Sequence, residues 1–286
     1  MVFATLRLIL ILFFRSIGRA LFYFFKKRRQ VALKNVTRCY SFIFKNKSYS
    51  RGKTRRLVKQ SFAGLGHNLA DFLLLGWYTR DNINRYVSAH SLHHLKQAQA
   101  KGRGVIISTA HFGCWELAAH YLALKGFKSL IIYNKFKGAD QLDGCIKQQR
   151  ERSGNRLIAK KNSYLSLYKH LKRNGSVMLV TDQHAFPPEG AKVSFLGQDA
   201  WTHTAFIKMS IKTGAPIVPA YMFVQGYTKY LIEFSRPIDP DDFVSCRDPI
   251  YEMTRACNEA LERSIVESPE LWMWQHQRFK QVSNSR

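Results

Sequence analysis

The chain has 286 residues and a formal net charge of +26, from 45 Lys and Arg against 19 Asp and Glu. Hydrophobic residues make up 46% of the sequence and charged residues 22%, which supports a sizeable core in one large domain or two small ones. The five cysteines are odd in number and include no Cys-x-x-Cys pair. This pattern excludes a disulfide framework and a zinc site of the usual spacing, and favours a reducing compartment.

Positive charge is concentrated in the first quarter of the chain. Residues 1–70 contain sixteen Lys or Arg and no Asp or Glu, so that the first acidic residue is Asp71. Such a charge attracts nucleic acid, an acidic membrane surface or an acidic protein partner. We therefore expect this part of the chain to face something anionic.

An apolar, aromatic segment opens the chain and favours a membrane among these partners. It runs over Val2–Phe25, contains Arg7, Arg15 and Arg19, and ends at the basic run Lys26–Arg29. In a helix the three arginines fall within roughly a third of the circumference. This favours a helix in the headgroup layer or a tilted span whose arginines reach the surface, and both alternatives stay open. The cations argue against a core helix. The segment also lacks a small-residue cleavage site and ends in four cations, which argues against a signal peptide.

The chain accordingly divides into a predicted membrane anchor with a basic flank, residues 1–29, and a domain over residues 30–286. If the anchor spans the bilayer, the positive-inside rule places the residues after it in the cytoplasm. The domain begins with two predicted helices that have basic faces, Val31–Asn46 and Gly52–Trp77.

From Gly104 onward, predicted strands and helices alternate along the chain. The predicted strands are Gly104–Thr109, Ser129–Tyr133, Val177–Thr181, Ile217–Phe223 and Tyr230–Phe234. The predicted helices are Trp115–Lys125, Gln141–Ser153, Ser163–Arg173, Ala205–Lys212 and Ile250–Glu267. Strands that alternate with helices form a largely parallel sheet flanked by helices, and ligands bind beyond the carboxyl ends of its strands. The sequence therefore predicts an α/β fold that follows an anchor and basic helices.

The segment His111-Phe-Gly-Cys-Trp-Glu116 comes directly after the first of these strands. A histidine acts as a general base when a carboxylate fixes its tautomer and stabilises the imidazolium that forms. If the following helix begins near Phe112 or Gly113, Glu116 lies about one turn inside it, from where it is expected to reach back and orient His111. The alternative is a helix start that holds a chance histidine and an acid satisfying the helix dipole. Asp182 also falls just past a predicted strand, which that alternative does not explain.

Other catalytic chemistries find less support in the sequence. Cys114 is a conceivable nucleophile beside His111, but two residues before Glu116 it is expected to point away from that residue. The histidines do not cluster with acids at ligand spacing, so no metal is expected. Gly102-Arg-Gly104 is too short for a nucleotide-binding fingerprint.

Segments along nearly the whole chain, from about Lys26 to Lys280, resemble one known family. They are His111–Glu116, Tyr133–Lys137 with Arg150–Gly154, Val180–Gln183, Val193–Gly197 with Thr202, Gly214–Pro219 and Pro269–Arg278. A strand followed by His-x-x-x-x-Glu is the signature of glycerolipid and lysophospholipid acyltransferases. The form His-Phe-Gly-x-Trp-Glu resembles the branch that completes lipid A, the late acyltransferases of lipid A biosynthesis. Leu196, the segment Trp201–His203 and Asp71 depart from the family pattern and leave details of the substrate pocket open.

The resemblance implies a membrane-bound O-acyltransferase that needs no cofactor. Its donor would be an acyl-acyl-carrier-protein, its acceptor an anionic, phosphorylated glycolipid, and its place the cytoplasmic face of the bacterial inner membrane. His111 and Glu116 would be catalytic. Arg150, Asp182 and Gln183 would bind substrate, with Arg150 as the donor to the oxyanion. A solvated surface charge is the alternative for Arg150, and a strand-end cap or an arginine partner for Asp182.

Three further hypotheses compete with this function. The same chemistry fits another membrane lipid as acceptor, such as a lysophospholipid, glycolipid or aminolipid, with acyl-CoA as the donor. A nucleic-acid-binding protein would also use a basic first quarter with interleaved aromatics, but no recognised motif for nucleic acid is present, and none is expected as a partner. A catalytically inactive scaffold of the same fold is disfavoured by the intact His111 and Glu116 pair.

Overall fold

The computed structural model describes residues 2–45, 47–135, 138–161 and 163–280. The predicted helix end at Asn46 and the residues Phe136 and Lys137 of the second family segment lie outside this part. Within it, a seven-stranded sheet with helices on both faces forms the body of the protein. The predicted α/β class and the largely parallel sheet are therefore confirmed.

The strands are numbered in chain order. They are β1 Val87–His90, β2 Val105–Thr109, β3 Ser129–Tyr133, β4 Arg156–Ala159, β5 Ser176–Val180, β6 Gly190–Phe195, β7 Gln198–His203, β8 Ile217–Gln225 and β9 Lys229–Phe234. The sheet order is β1-β9-β8-β2-β5-β3-β4, and β6 and β7 form a separate antiparallel hairpin. Strands β8, β2, β5, β3 and β4 run parallel, whereas β9 returns antiparallel to β8 and pairs parallel with β1.

The helices surround this sheet. They are α1 Val2–Phe24, α2 Lys26–Arg38, α3 Tyr40–Ile43, α4 Arg51–Leu73, α5 Leu92–Ala100, α6 Trp115–Leu124, α7 Asp140–Glu151, α8 Ser163–Lys172, α9 Ala205–Thr213 and α10 Pro249–Glu267. One buried cluster joins one face of the sheet to α5 and α6, and a second joins the other face to α8, α9 and α10. A third cluster packs α2 and α4 against α10, the hairpin and the two buried tryptophans near the carboxyl end.

Sequence patterns located the long apolar elements and missed the short amphipathic ones. All five residues of β2 are buried, as expected for a central parallel strand, and all five predicted strands are present within about two residues at either end. The sequence pattern misses strands β1 and β4 because they have four residues each and bury one side chain and none, respectively. The hairpin of β6 and β7 and helix α5 were also missed.

Helix α1 packs along α4 and is part of the folded body. The two backbones approach closely where Gly66 of α4 crosses Phe14 of α1. A Cβ at Gly66 would lie 1.9 Å from the Phe14 carbonyl oxygen, so only glycine permits this crossing. Ile11 and Phe22 of α1 are fully buried. The boundary between residues 1–29 and 30–286 stays a prediction, but the first segment is in extensive contact with the second.

Arg7 corrects the expectation that all three arginines of the first helix reach the membrane surface. Its side chain is fully buried and lies 3.5 Å from the Asp71 carboxylate. The Arg7 guanidinium donates to the hydroxyls of Tyr78 and Tyr230 and to the carbonyl of Thr228. A buried charge is tolerated only when it is paired and hydrogen-bonded, and this cluster supplies both requirements. Arg7 therefore attaches α1 to α4 and the sheet.

Asp71 also belongs to a buried group of metal-ligand types that the sequence argument missed. One ligand atom each from His67, Asp71 and Cys114 lies within 4.8 Å of the others. His67 and Asp71 are one helical turn apart on α4, and Cys114 joins them from the start of α6. The carboxylate already accepts from Tyr78, Tyr230 and Cys114 and lies against Arg7. The Arg7 guanidinium thus already balances the negative charge of Asp71, which a bound cation would need.

No single described helix is both long and apolar enough to cross a membrane. The bent pair Ala4–Phe24 and Lys26–Arg38, with 91° between its helices, meets the length and composition requirement when taken together. The anchoring role of this segment stays a prediction.

Candidate active site

The sheet register brings the two strand-end residues His111 and Asp182 together. Strands β2 and β5 are parallel neighbours, and Thr109 pairs with Val180 at their carboxyl ends. His111 and Asp182 each follow two residues later. Equivalent positions on paired strands lie about 5 Å apart, so the two side chains meet beyond the sheet. Their juxtaposition follows directly from the strand pairing.

Asp182 is the hydrogen-bond partner of the His111 ring. Nδ1 of His111 lies 2.9 Å from Asp182 Oδ1, and the backbone N–H of His111 donates to Oδ2 at 3.2 Å. The indole N–H of Trp272 donates to the same Oδ2 at 2.8 Å. A carboxylate that accepts from Nδ1–H leaves the lone pair on Nε2. His111 is therefore held in the tautomer that a general base requires.

Burial and charge act in opposite directions on this pair. Burial alone would lower the pKa of His111, but the charge and hydrogen bond of Asp182 outweigh it and raise that pKa above its ordinary value. Burial would raise the pKa of Asp182, but His111 and the Trp272 N–H hold it below its usual range. Asp182 therefore stays ionised beside His111 and increases the basicity of its ring.

The backbone after His111 is fixed by contacts that require glycine at the third position of the motif. Gly113 has φ +56°, and a Cβ there would lie 1.8 Å from the Met222 carbonyl oxygen on β8. The N–H of Gly113 donates to Leu271, and the carbonyl of His111 accepts from Met273. The turn between β2 and α6 is thus held against β8 and the carboxyl-terminal segment.

Glu116 does not contact the ring it was expected to orient, and this part of the prediction is wrong. Its carboxylate instead forms a bidentate pair with Arg150 of α7, with Nε to Oε2 at 2.9 Å and Nη2 to Oε1 at 2.5 Å. The guanidinium matches both carboxylate oxygens at once and so binds Glu116 more strongly than one imidazole nitrogen would. Glu116 still acts on His111 at a distance, because its charge helps to raise the pKa of the ring.

Four of the five predicted site residues line one cavity of about 490 Å³ at the carboxyl ends of the strands. They are His111, Glu116, Arg150 and Gln183, whereas Asp182 lies behind His111 and is 5% exposed. Cavities of a few hundred Å³ with a few convergent polar groups are typical of ligand sites. The geometry therefore favours Asp182 as the partner of His111 over the predicted role of Asp182 as a direct substrate contact.

Cys114 lies in a different environment from this cavity. Its thiol is fully buried and donates to Asp71 at 3.3 Å. Burial, together with the charge of Asp71, raises the pKa of Cys114 well above its usual value. A thiol that stays protonated and faces another cluster is not placed to act as a nucleophile.

Sequence reasoning did not find the contribution of Trp272. In the sequence, the alternation of Trp272 and Trp274 is typical of an apolar strand or turn against the core or lipid. In the structure both rings are buried, and the indole N–H of Trp272 donates to the carboxylate behind His111. The available signal was the tryptophan itself, since a buried indole N–H needs an acceptor.

Comparison with known proteins identifies the family of this chain. Residues 4–281 match the family model of bacterial lipid A biosynthesis acyltransferases. The lipid A biosynthesis lauroyltransferase of Escherichia coli K12 is 24% identical over 277 residues, which cover 93% of this chain and 83% of that protein. The palmitoleoyltransferase of the same organism is 21% identical over 263 residues, covering 90% and 80%. A lipid A biosynthesis acyltransferase of Haemophilus influenzae is 20% identical over 250 residues, covering 87% and 74%.

The family match extends over nearly all of the chain, and the strand-end histidine, the bidentate Glu116–Arg150 pair and the Asp182 carboxylate lie within it. The chain belongs to the bacterial lipid A biosynthesis acyltransferases and is an acyltransferase.

Proposed function

We propose that this protein transfers a fatty acyl chain from an acyl-acyl-carrier-protein to a hydroxyl group of a lipid A precursor at the cytoplasmic face of a bacterial inner membrane. The observation that carries the proposal is the His111–Asp182 hydrogen bond at the wall of the cavity. A hydroxyl is a poor nucleophile, and a positioned base is worth roughly 10²–10⁴ in rate. The thioester already carries an activated acyl group, so no enzyme nucleophile is needed.

The reaction then runs in two steps around one imidazole. Nε2 of His111 takes the proton of the acceptor hydroxyl as its oxygen attacks the thioester carbonyl carbon. Asp182, hydrogen-bonded to Nδ1, stabilises the imidazolium. The tetrahedral intermediate collapses and expels the thiolate of the carrier, which takes the proton back from His111. The products are the ester and the free thiol of the carrier, and His111 is regenerated as the neutral base.

Arg150 is our candidate for stabilising the oxyanion of the intermediate. Glu116 occupies Nε and Nη2 of its guanidinium, while Nη1 has no hydrogen-bond partner among the described residues. The side chain is 27% exposed and lines the same cavity as His111. Glu116 therefore positions the guanidinium and leaves its Nη1 group available to stabilise the negative charge that develops on the intermediate.

The positive charge of the protein suits both proposed substrates. Lys160 lines the cavity with Arg150, and cationic side chains of these types recognise phosphate groups. The net charge of +26 also favours encounter with an acidic carrier protein. Both attractions weaken as salt is added, because exposed charges are screened.

The membrane part of the proposal is supported by the outward face of α1. Its exposed apolar side chains include Leu6, Ile9, Leu12, Phe13, Ile17 and Phe24. Ile9 and Phe13 are 57% and 58% exposed, although the opposite side of the helix is buried against α4. A helix that buries one face in protein and exposes apolar residues on the other fits attachment in the plane of the interface, with the basic run after it facing anionic headgroups.

Two carboxylates on the exposed face of α1 are expected to weaken membrane attachment. The Ile9→Glu and Phe13→Glu double variant should bind vesicles of phosphatidylethanolamine and phosphatidylglycerol about tenfold more weakly or worse, because it removes two apolar side chains from the interface. Vesicle co-sedimentation measures this. A matched control, Gln141→Glu with Gln148→Glu on exposed positions of α7, adds the same charge elsewhere. Equal binding of the two double variants would contradict the assignment of this face.

Replacing Arg150 by lysine is expected to lower the transfer rate on the order of 100-fold. Lysine keeps the positive charge but cannot form the bidentate pair that positions the group against Glu116. Glu116→Gln should lose activity similarly, and the double variant should be no worse than either single one. Arg156→Lys, at an exposed position on β4, is the control for the chemical change. A wild-type rate for Arg150→Lys would show that Arg150 is a solvated surface charge without a role in the reaction.

The donor and acceptor are tested with detergent-solubilised protein. Labelled acyl-acyl-carrier-protein and acyl-CoA are offered separately to a tetraacylated lipid A precursor and to a total membrane lipid extract. We expect label to move from the carrier protein to the precursor, at a rate that falls as salt is added. Transfer only to other lipids of the extract would show that the acceptor is a different lipid, and transfer only from acyl-CoA would show that the donor is acyl-CoA. No transfer in any combination would overturn the proposal.

A further inference from the structure

The cavity beside His111 enters a gap in the sheet between β3 and β5. These strands pair only as far as Ile131 with Met178. Beyond that point β3 continues with β4 as far as Tyr133, and β5 continues with β2 as far as Val180. Each strand therefore loses one neighbour in its last two residues, and the sheet divides at its carboxyl edge.

Side chains from both faces of the sheet line this gap. Ile131 and Met178 belong to the cluster on the α6 face, whereas Ile132 and Leu179 belong to the cluster on the face of α8 and α9. All four residues line the cavity. The cavity thus reaches between the two apolar layers of the domain, where a long apolar ligand gains most from burial.

One end of the cavity is open and polar, and the other is closed and apolar. Lys160 and Glu189 are exposed and mark the open end. Leu75, His120 and Met178 also line the cavity but are 1%, 3% and 4% exposed. Leu75 and Met178 belong to the cluster on the α6 face and His120 lies on α6 itself, so these three residues mark the buried end of the cavity, where His120 is the polar one of the three.

His120 lies four residues beyond Glu116 on α6, about 6 Å further along the helix axis. Its Nε2 lies 2.9 Å from the carbonyl oxygen of Tyr78, which requires a proton on Nε2. Nδ1 is therefore the acceptor of this ring, and it has no hydrogen-bond partner among the described residues. Burial lowers the pKa of His120, so the ring stays neutral.

We propose that the closed end of this cavity holds the distal part of the transferred acyl chain, and that His120 and Leu75 form the floor that limits its length. The inference rests on the proposed function, since it assigns the thioester end of the chain to His111 and Arg150. Each methylene that enters the apolar end adds binding free energy. The buried His120 ring and Leu75 side chain close this end, so a methylene that would extend beyond them finds no apolar space and adds no binding free energy. The binding free energy therefore stops rising once the chain reaches His120.

The test measures binding, so that it does not depend on turnover. Saturated fatty acids from octanoate to hexadecanoate are bound to the full-length protein at one fixed detergent concentration. Affinity should rise about fourfold per methylene until the chain reaches the floor, and then stop rising. Partition into detergent is common to all variants, so the informative quantity is the chain length at which the rise stops.

Two variants should move this limit in opposite directions. Ala119→Leu adds three carbon atoms to the cavity wall and should shorten the limit by about two to three carbons. His120→Ala removes the ring and should lengthen it by a similar amount. Ala119→Leu also serves if the loss of the buried histidine impairs folding, which thermal melting reveals. His170→Ala is the matched control, because the Nε2 of His170 also lies beside a backbone carbonyl, that of Ser176, outside the cavity.

The outcomes separate this inference from the reaction itself. A limit that shifts with Ala119→Leu and stays in place with His170→Ala supports the floor. An unchanged limit in both cavity variants overturns it, even if acyl transfer is observed. A shifted limit in a protein that transfers no acyl group from any donor would overturn the proposed reaction and leave the binding site in place.

Discussion

His111→Ala is expected to lower acyl transfer by at least the roughly 10²–10⁴-fold that a positioned base contributes. The ring that accepts the hydroxyl proton is removed, while the cavity, the Glu116–Arg150 pair and the membrane-facing helix remain. The rate is measured with saturating donor and acceptor, and membrane binding is measured in parallel. Vesicle binding should be unchanged, because His111 lies at the carboxyl edge of the sheet.

The control for this variant is a histidine that lies outside the cavity. His94 of α5 contacts the carbonyl oxygen of Phe234 and does not line the cavity. His94→Ala should keep most of the wild-type rate. A fully active His111→Ala protein, or an equal loss in both variants, would contradict the assignment of His111 as the base.

The second large effect is expected on stability, from the buried Arg7 and Asp71 pair. Removing one partner of a buried ion pair costs about 3–5 kcal/mol, because the other charge is left uncompensated. Arg7→Leu leaves the Asp71 carboxylate with hydroxyl and thiol donors and the His67 ring, whose pKa burial lowers to about 4, and so without a cationic partner among these groups. We expect its melting temperature to fall on the order of 10 °C. Thermal unfolding followed by circular dichroism checks this.

A double-mutant cycle shows whether the effect comes from the pair. Replacing both partners by apolar residues, Arg7→Leu with Asp71→Leu, should cost less than the sum of the single changes. Arg19→Leu is the matched control, since Arg19 lies on the same helix and is exposed. Equal melting temperatures for Arg7→Leu and Arg19→Leu would show that Arg7 does not attach α1 to the domain.

The sequence predicted the parts of the fold that repeat a strong local pattern. Strand β2 is wholly apolar, α6 follows it at once, and the parallel arrangement follows from the alternation of strands and helices. Strands β1 and β4 carry no such pattern, because β1 has one buried residue in four and β4 has none. Their pairing at the sheet edges depends on contacts with distant segments.

The candidate site was predicted in composition but not in pairing. The structure brings the predicted residues His111, Glu116, Arg150 and Asp182 close together, yet spacing along one segment suggests Glu116 as the partner of His111. The true partner, Asp182, comes from a neighbouring strand 71 residues away, and only the register of β2 with β5 places it there. Arg150 on α7 then takes Glu116. Local spacing reports what one helix can bring together, whereas the sheet determines what two strand ends bring together.

Arg7 shows the same limit at the amino terminus. An arginine in an apolar segment suggested a side chain that reaches the membrane surface. Its partners Asp71, Tyr78 and Tyr230 are separated from it by 64 to 223 residues, and no local pattern links them. Whether a charge in such a segment faces lipid or protein depends on what the fold places opposite it.

The most direct test of the central claim, that His111 acts as the base with Asp182 behind it, is the pH dependence of kcat/KM for wild type and Asp182→Asn. In wild type the rate should rise with pH through a pKa above the ordinary value near 6.5, because His111 must lose its proton to act. Asparagine removes the carboxylate that raises this pKa while burial still lowers it. We predict a lower maximum rate for the variant and a rise displaced to lower pH, over a range of about pH 5–8. A rise at the same pH in both proteins would contradict it.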